Sequence, residues 1–249
     1  MAIPSLAMIP SGYKDGKVYS VLPANGGGDF DFTRGSNATR VNKDGLIETA
    51  TGDTPRLDYS GSSCPSLLLE PQRTNLATYS EDFSDSSWVK ANVDVTHNAG
   101  IAPDGTVSLS SIDSNSSVNS EHRFRLAPSL SVSTTYNASV FVKSKDSGVY
   151  LYFRDLTNNS TSFYDVENNT VLATGVGQTV NSTSFGDFFR LDFTFTTPLS
   201  ITNNFVDFGI TSVSSGVTSV ITAGQGMYFW GVQLEEGSYP TSYIPTQGS

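Results

Sequence analysis

The chain has 249 residues, 37% of them hydrophobic and 11% aromatic, enough apolar material for one sizeable core. Only 15% are charged and the formal net charge is −10, which argues against nucleic acid and against anionic membranes, because both are held through clustered Lys and Arg. A single cysteine, Cys64, excludes an intrachain disulfide and a thiolate metal cluster.

Residues 1–66 differ from the rest. Residues 1–10 are apolar but lack a basic stretch and are interrupted by Pro4 and Pro10, so no signal peptide is expected, and nothing approaches a membrane span. Folding in a cytoplasm follows as the expectation. Pro4, Pro10, Pro23 and the Gly26-Gly-Gly28 run describe an extended arm with turns, not an independent core. Along it, Phe30-Asp-Phe-Thr-Arg34 alternates like a strand, and Asn42-Lys-Asp-Gly45 reads as a hairpin turn between 39–41 and 46–48. Cys64, beside Pro65 and before Leu67-Leu-Leu69, is expected to be a buried small side chain. Glu70 and Arg73 are expected to pair as a structural contact.

From Leu67 onward short strands alternate with polar turns. Strands are predicted at 93–96, 107–112, 122–126, 135–143, 148–154, 161–165, 188–196, 205–211 and 227–234, separated by clusters such as Asp113-Ser-Asn-Ser-Ser117 and Thr157-Asn-Asn-Ser160. No segment of useful length has helical period. The pattern is that of an all-β sandwich. Its last strand, from Met227 to Leu234, is almost continuously apolar and must be flanked by earlier strands, with Gly237, Pro240 and Pro245 ending regular structure after it.

Several of these segments resemble a known family. Phe229-Trp-Gly-Val-Gln-Leu-Glu-Glu-Gly-Ser and Thr241-Ser-Tyr-Ile-Pro-Thr246 are similar to the closing signature of tailed-bacteriophage virion proteins that carry a jelly-roll domain like that of carbohydrate-binding modules. Leu67-Leu-Leu-Glu-Pro-Gln-Arg-Thr-Asn-Leu76, Tyr79-Ser-Glu-Asp-Phe-Ser84, Trp88, Ser139-Val-Phe-Val-Lys143 and Gly186-Asp-Phe-Phe-Arg190 match in the same order. The family usually has Trp where this chain has Phe188. The resemblance implies a jelly-roll domain over residues 67–249 preceded by an extended arm over 1–66. It implies a fibre or decoration component of a phage head or tail, assembled in the host cytoplasm, and a homotrimer whose arm grips other virion proteins. The arm segments Asp31-Phe-Thr-Arg34, Ala38-Thr-Arg-Val41 and Pro55-Arg-Leu-Asp-Tyr59 resemble an attachment segment; an extension folded back on its own domain is the other reading. A structural Ca²⁺ where first and last strands meet is also implied, with Glu81, Asp82 and Glu235 as candidate oxygen ligands; a solvated acidic turn is the alternative.

Alternation within strands assigns the faces. Tyr136, Ala138, Val140 and Val142 point inward, as do Val149, Leu151 and Phe153, then Leu191, Phe193 and Phe195, then Val206, Phe208 and Ile210. The outward set comprises Phe141, Lys143, Tyr150, Tyr152, Arg154, Asp192 and Asp207. Flat aromatic faces suit the apolar side of a sugar ring and charged groups suit its hydroxyls, so these seven are the candidate glycan-binding residues. The competing expectation is a purely architectural protein in which the same aromatics pack against a neighbouring subunit or the arm. No catalytic motif of the Gly-x-Ser-x-Gly, His-Glu-x-x-His or phosphate-loop kind occurs, neither His97 nor His122 has a supporting motif, and a carboxylate pair among 24 acidic residues means little. The expectation is a binding protein, not an enzyme, with no required cofactor.

Overall fold

A computed structural model describes residues 12–19, 30–61 and 63–248, all strand, turn and loop. The expectations for residues 1–10 and for the Gly26-Gly-Gly28 run lie outside the described residues. The chain divides into two compact units: Met1–Gln72 with Thr241–Ile244, and Arg73–Pro240 with Pro245–Ser249.

The first unit is built from short strands. β1 (Gly12–Lys14), β2 (Lys17–Tyr19) and β3 (Phe30–Asp31) form a three-stranded sheet in that order. β4 (Ala38–Val41) and β5 (Ile47–Ala50) form the expected hairpin. Its turn has Gly45 at φ +80°, a value that favours glycine, and the Asn42 side-chain oxygen accepts from the Asp44 and Leu46 N–H groups. β6 (Leu57–Asp58) pairs with β7 (Ser66–Leu67).

Strands this short bury little, so side-chain bonds to the backbone tie the unit together. The Arg34 guanidinium donates to the carbonyls of Ser36, Ala50, Thr51 and Thr54, which draws Arg34 off the strand that its alternation suggested. Arg56 donates to the Thr39 carbonyl at 3.1 Å, to Glu70 at 2.7 Å and to Ser242 at 2.7 Å. Two expectations are corrected here. Glu70 pairs with Arg56, while Arg73 instead stacks 5.8 Å over the Tyr239 ring. Cys64 is exposed, because the connection between β6 and β7 runs over the surface, where loop backbone keeps its polar groups solvated.

The second unit is the sandwich. In chain order it contains β8 (Val89–Ala91), β9 (Val93–Ile101), β10 (Val107–Ser114), β11 (Ser120–Leu126), β12 (Thr135–Ser144), β13 (Tyr150–Asp155) and β14 (Ser160–Asp165). β15 (Thr170–Ala173), β16 (Thr179–Phe185), β17 (Phe188–Thr196), β18 (Val206–Thr211), β19 (Thr218–Ser219) and β20 (Gly226–Glu236) follow. One sheet runs β16-β17-β12-β20-β10-β9 and the other β15-β14-β13-β18-β11-β19, with β8 also pairing β11. Every pairing is antiparallel. The central strands β10-β20-β12-β17 face β11-β18-β13-β14, so β10 and β20, the first and last of these eight, are neighbours and the chain alternates between the sheets. This order is a jelly roll.

The core lies between the two sheets, and every residue assigned inward by alternation belongs to it: Tyr136, Ala138, Val140, Val142, Val149, Leu151, Phe153, Leu191, Phe193, Phe195, Val206, Phe208 and Ile210 are all buried there. At one end Phe83 and Trp88 stand edge-on at 5.4 Å, and Phe124 meets Phe229 at 5.1 Å, the edge-to-face geometry that aromatic quadrupoles prefer. The Trp88 indole N–H donates to the Tyr79 carbonyl, which satisfies its one polar group inside the core.

β20 is central, as its apolar sequence requires, and it carries a bulge. Phe141 pairs with Trp230 and Ser139 with Gln233, which leaves an extra residue on β20 between them. Gly231 sits there at φ +62°. The bulge resets the alternation, so that Phe229, Val232 and Leu234 all enter the core while Trp230 and Gln233 point outward.

Candidate functional site

The outer face of the seven-stranded sheet gathers charge and aromatic rings in two adjacent rows. Register places Phe163, Tyr152, Gly209 and Arg123 side by side across β14, β13, β18 and β11. The next row is Thr161, Arg154, Asp207 and Arg125. Each strand puts alternate residues on this face, so the rows follow directly from period two.

Gly209 allows the first row to close up. A Cβ at this position would lie 2.3 Å from Cζ of Tyr152 and 2.5 Å from its hydroxyl, so the phenol ring lies flat across the glycine. Tyr152 is completely buried, its hydroxyl has no hydrogen-bond partner among the described residues, and burial pushes its ionisation well above the usual phenol range.

The second row is a charge network. Asp207, fully buried, accepts from Arg125 Nε at 2.5 Å and Nη2 at 2.9 Å, and from Arg154 Nε at 2.9 Å and Nη2 at 2.6 Å. Arg154 also donates to both oxygens of Glu121, at 2.8 and 3.0 Å, and Arg123 Nε donates to Glu121 at 2.8 Å. Paired two-bond contacts of this kind are among the stronger polar interactions a protein makes. Chiefly through the bonds from Arg154, and against the effect of burial, the Glu121 carboxyl is held down to about 2. Burial opposes the charge on Arg154, but its bonds to Glu121 and Asp207 outweigh this and raise its pKa. Arg125 completes the row by stacking 4.6 Å over Phe205.

The seven outward residues picked out in the sequence do point outward, but they divide between the two sheets. Tyr150, Tyr152, Arg154 and Asp207 lie on β13 and β18, and all but Tyr150 belong to the rows just described; Tyr150, partly exposed, is next along β13. Phe141, Lys143 and Asp192 lie on β12 and β17 of the other sheet, so they belong to a different surface. There Phe141 is buried, 5.4 Å from both Phe185 and Trp230, with Arg190 5.3 Å above its ring. Lys143 pairs with Asp187 at 3.1 Å. Asp192 accepts from Asn137 at 2.9 Å and Asn181 at 3.1 Å.

Glu121, Arg123, Arg125 and Gly209 were missed as site residues. The signal for the first three was present: Glu121-His-Arg-Phe-Arg-Leu126 alternates charged with buried residues, and β11 was recognised as a strand. Nothing local marks Gly209, whose need arises from Tyr152 on the adjoining strand.

Among the described residues no group of three or more His, Cys, Asp or Glu is placed to hold a metal, so Glu81, Asp82 and Glu235 are not gathered into one cluster. The Asp82 carboxylate caps its own turn, accepting from the N–H and hydroxyl of Ser84. Glu235 is buried on β20 and accepts from Gln233 at 2.7 Å. His122, also buried, lies with Nδ1 3.0 Å from the carbonyl of Asn92, between β8 and β9, and Nε2 3.2 Å from that of Ser219 on β19.

No protein-family model and no curated protein matches the chain. Among solved structures, the CBM22-1–GH10 modules of Clostridium thermocellum endo-1,4-β-D-xylanase 10B, complexed with xylohexaose, align at 15% identity and a TM-score of 0.38, covering 68% of this chain and 29% of that one. The enzymatically active domain of bacteriophage CBA120 tailspike protein 4 aligns at 13% identity and a TM-score of 0.39, covering 66% of this chain and 21% of that one. The CBM22-1 xylan-binding domain from Paenibacillus barcinonensis aligns at 12% identity and a TM-score of 0.35, covering 68% and 95%. The chain thus spans less than a third of the first two. All three TM-scores lie below 0.5, and the jelly-roll identity of the second unit rests on its own strand order.

Proposed function

We propose that the protein is a non-enzymatic structural component of a tailed-phage particle, a fibre or decoration on head or tail, whose jelly roll binds glycans of the host surface. The observation that carries the glycan reading is the outer face of β11, β18 and β13, where the partly exposed Tyr150 lies on the same strand as Arg154, whose guanidinium fork, with that of Arg125, holds Asp207. Sugar rings are held by aromatic faces together with groups that bond several hydroxyls at once, and this face carries the partly exposed ring of Tyr150 together with the guanidinium groups of Arg123, Arg125 and Arg154. The particle setting rests on the sequence resemblance. In it, the first unit attaches the protein to other virion proteins and a homotrimer displays three sheets together, so that weak single-site affinity sums to firm adhesion.

The test is binding of the purified full-length protein to a panel of bacterial surface polysaccharides. Retention of one class, lost on Tyr150→Ala, supports the reading; no retention of any overturns it. The architectural alternative draws on a different observation: Tyr152 and Phe141 are already packed inside the chain and offer no open aromatic platform. That alternative predicts a defined oligomer with no polysaccharide binding.

A further inference from the structure

The two carboxylates of the charged face are not equivalent. Asp207 has no side-chain exposure and takes bonds from two arginines, so it is part of the frame. Glu121 keeps 30% of its side chain exposed, and from β11 it reaches Arg154 on β13, past β18. Its bridge spans the row where Tyr152 lies over Gly209.

Among the described residues, that row contains the two buried side-chain groups of this face that lack a partner. Nη1 of Arg123 and the Tyr152 hydroxyl are both buried without a hydrogen-bond partner. Tyr152 points its hydroxyl over Gly209, whose register partner on β11 is Arg123. A buried unpaired donor is destabilising, and two at one place mark a position that the chain itself does not fill. Both are donors, and beside them lie the groups of Arg123 and Arg154 that hold Glu121. A planar acceptor with two oxygens matches such forks, whereas an uncharged hydroxyl matches only one donor at a time.

Resting on the glycan reading above, we propose that the glycan taken by this face is acidic: a sugar carboxylate, of a uronate or a sialate, displaces Glu121 from Arg123 and Arg154 and also engages Arg123 Nη1 and the Tyr152 hydroxyl. Glu121 is then the internal stand-in for the ligand, keeping the arginine forks formed while the face is empty. The chain carries a formal net charge of −10, so a local excess of three arginines over two carboxylates is the feature that can draw an anionic polymer to this face.

The test is calorimetric titration of the full-length protein with oligogalacturonate and oligosialate, the same oligomers after carboxyl reduction, neutral xylan and mannan oligomers, and a sulfated galactan. The expected result is binding of a carboxylated oligomer, weakened roughly tenfold or more by carboxyl reduction, as truncating one side of a charge pair does. Glu121→Ala should raise affinity, since the competitor is gone, with Glu121→Gln as a second variant of native size and thermal melting to confirm that each is folded. Arg123→Lys, which keeps charge but loses the fork, should weaken it. Equal binding of the carboxyl-reduced oligomer, weaker binding by both folded Glu121 variants, or equal binding of the sulfated galactan overturns the proposal. Binding of neutral oligomers alone overturns it and leaves the glycan reading standing; binding of none overturns both.

Discussion

The side chain of Asn75 substitutes for a strand beside Leu234: its amide oxygen accepts from the Leu234 and Ala77 N–H groups at 3.0 Å, and its amide nitrogen donates to the Val232 carbonyl at 3.1 Å. The Leu76 N–H donates to the Leu234 carbonyl at 2.7 Å, and the Val232 N–H to the Ser80 carbonyl at 2.8 Å. The Arg-Thr-Asn-Leu segment and the closing strand, recognised separately in the sequence, are therefore two halves of one structural device around the bulge at Gly231. Asn75→Ala leaves buried backbone groups unpaired and is expected to lower stability by about 2–4 kcal/mol, measured by denaturant unfolding, since each orphaned buried group costs roughly 1–3 kcal/mol.

The contact between Tyr152 and Gly209 gives a coupled prediction. Gly209→Ala puts a methyl group 2.3 Å from Cζ of the ring, so the ring must move. Overpacking of this kind costs about 1–3 kcal/mol. In a Tyr152→Ala background the same substitution should cost much less, and a double-mutant cycle followed by thermal unfolding measures the difference. Additive effects would show that the ring and the glycine do not interact.

Acid sensitivity follows from Glu121. Its carboxyl is lowered from 4.5 to about 2 in the folded chain, so its contribution to stability is fully present above about pH 4.5. It is lost as pH falls from there towards 2, when protonation removes the ion pairs with Arg154 and Arg123. Glu121→Gln should be less stable than the parent at pH 7 and lose less stability between pH 5 and 3. Parallel pH–stability curves would contradict this assignment. Because Glu121 is partly exposed, added salt should shrink the gap at pH 7.

In the core, Phe124 is fully buried and meets Phe83, Trp88, Phe208 and Phe229 at centroid distances of 5.1–5.8 Å. Phe124→Ala should cost about 3–5 kcal/mol in denaturant unfolding, because a cavity ringed by aromatics collapses poorly.

The strands with two-residue alternation were legible in the sequence, and so were their faces. Val140, Leu151, Phe193 and Phe208 enter the core as their spacing requires. β15 and β16 were not, since Thr179-Val-Asn-Ser-Thr-Ser-Phe185 is mostly exposed and Ser, Thr and Asn read equally well as turn. The site was legible only by strand. Alternation says that Phe141 and Tyr152 both point outward, but only the sheet order, with β12 beside β20 and β13 beside β18, shows that they occupy different surfaces. Burial was not legible either: Tyr152 disappears because the neighbouring strand offers a glycine. Cys64 was misread because its apolar neighbours Leu67 to Leu69 suggested burial, whereas the connection carrying it is a surface loop.

The central claim is that the outer face of β11, β18 and β13 binds glycan, and the most direct measurement is backbone amide chemical-shift mapping while purified host surface oligosaccharide is titrated into the full-length protein. The account predicts perturbations concentrated on Glu121 to Arg125, Tyr150 to Arg154 and Asp207 to Gly209, saturating with ligand. Perturbations concentrated instead around Phe141, Arg190 and Trp230 on the opposite sheet, or none at saturating ligand, would contradict it.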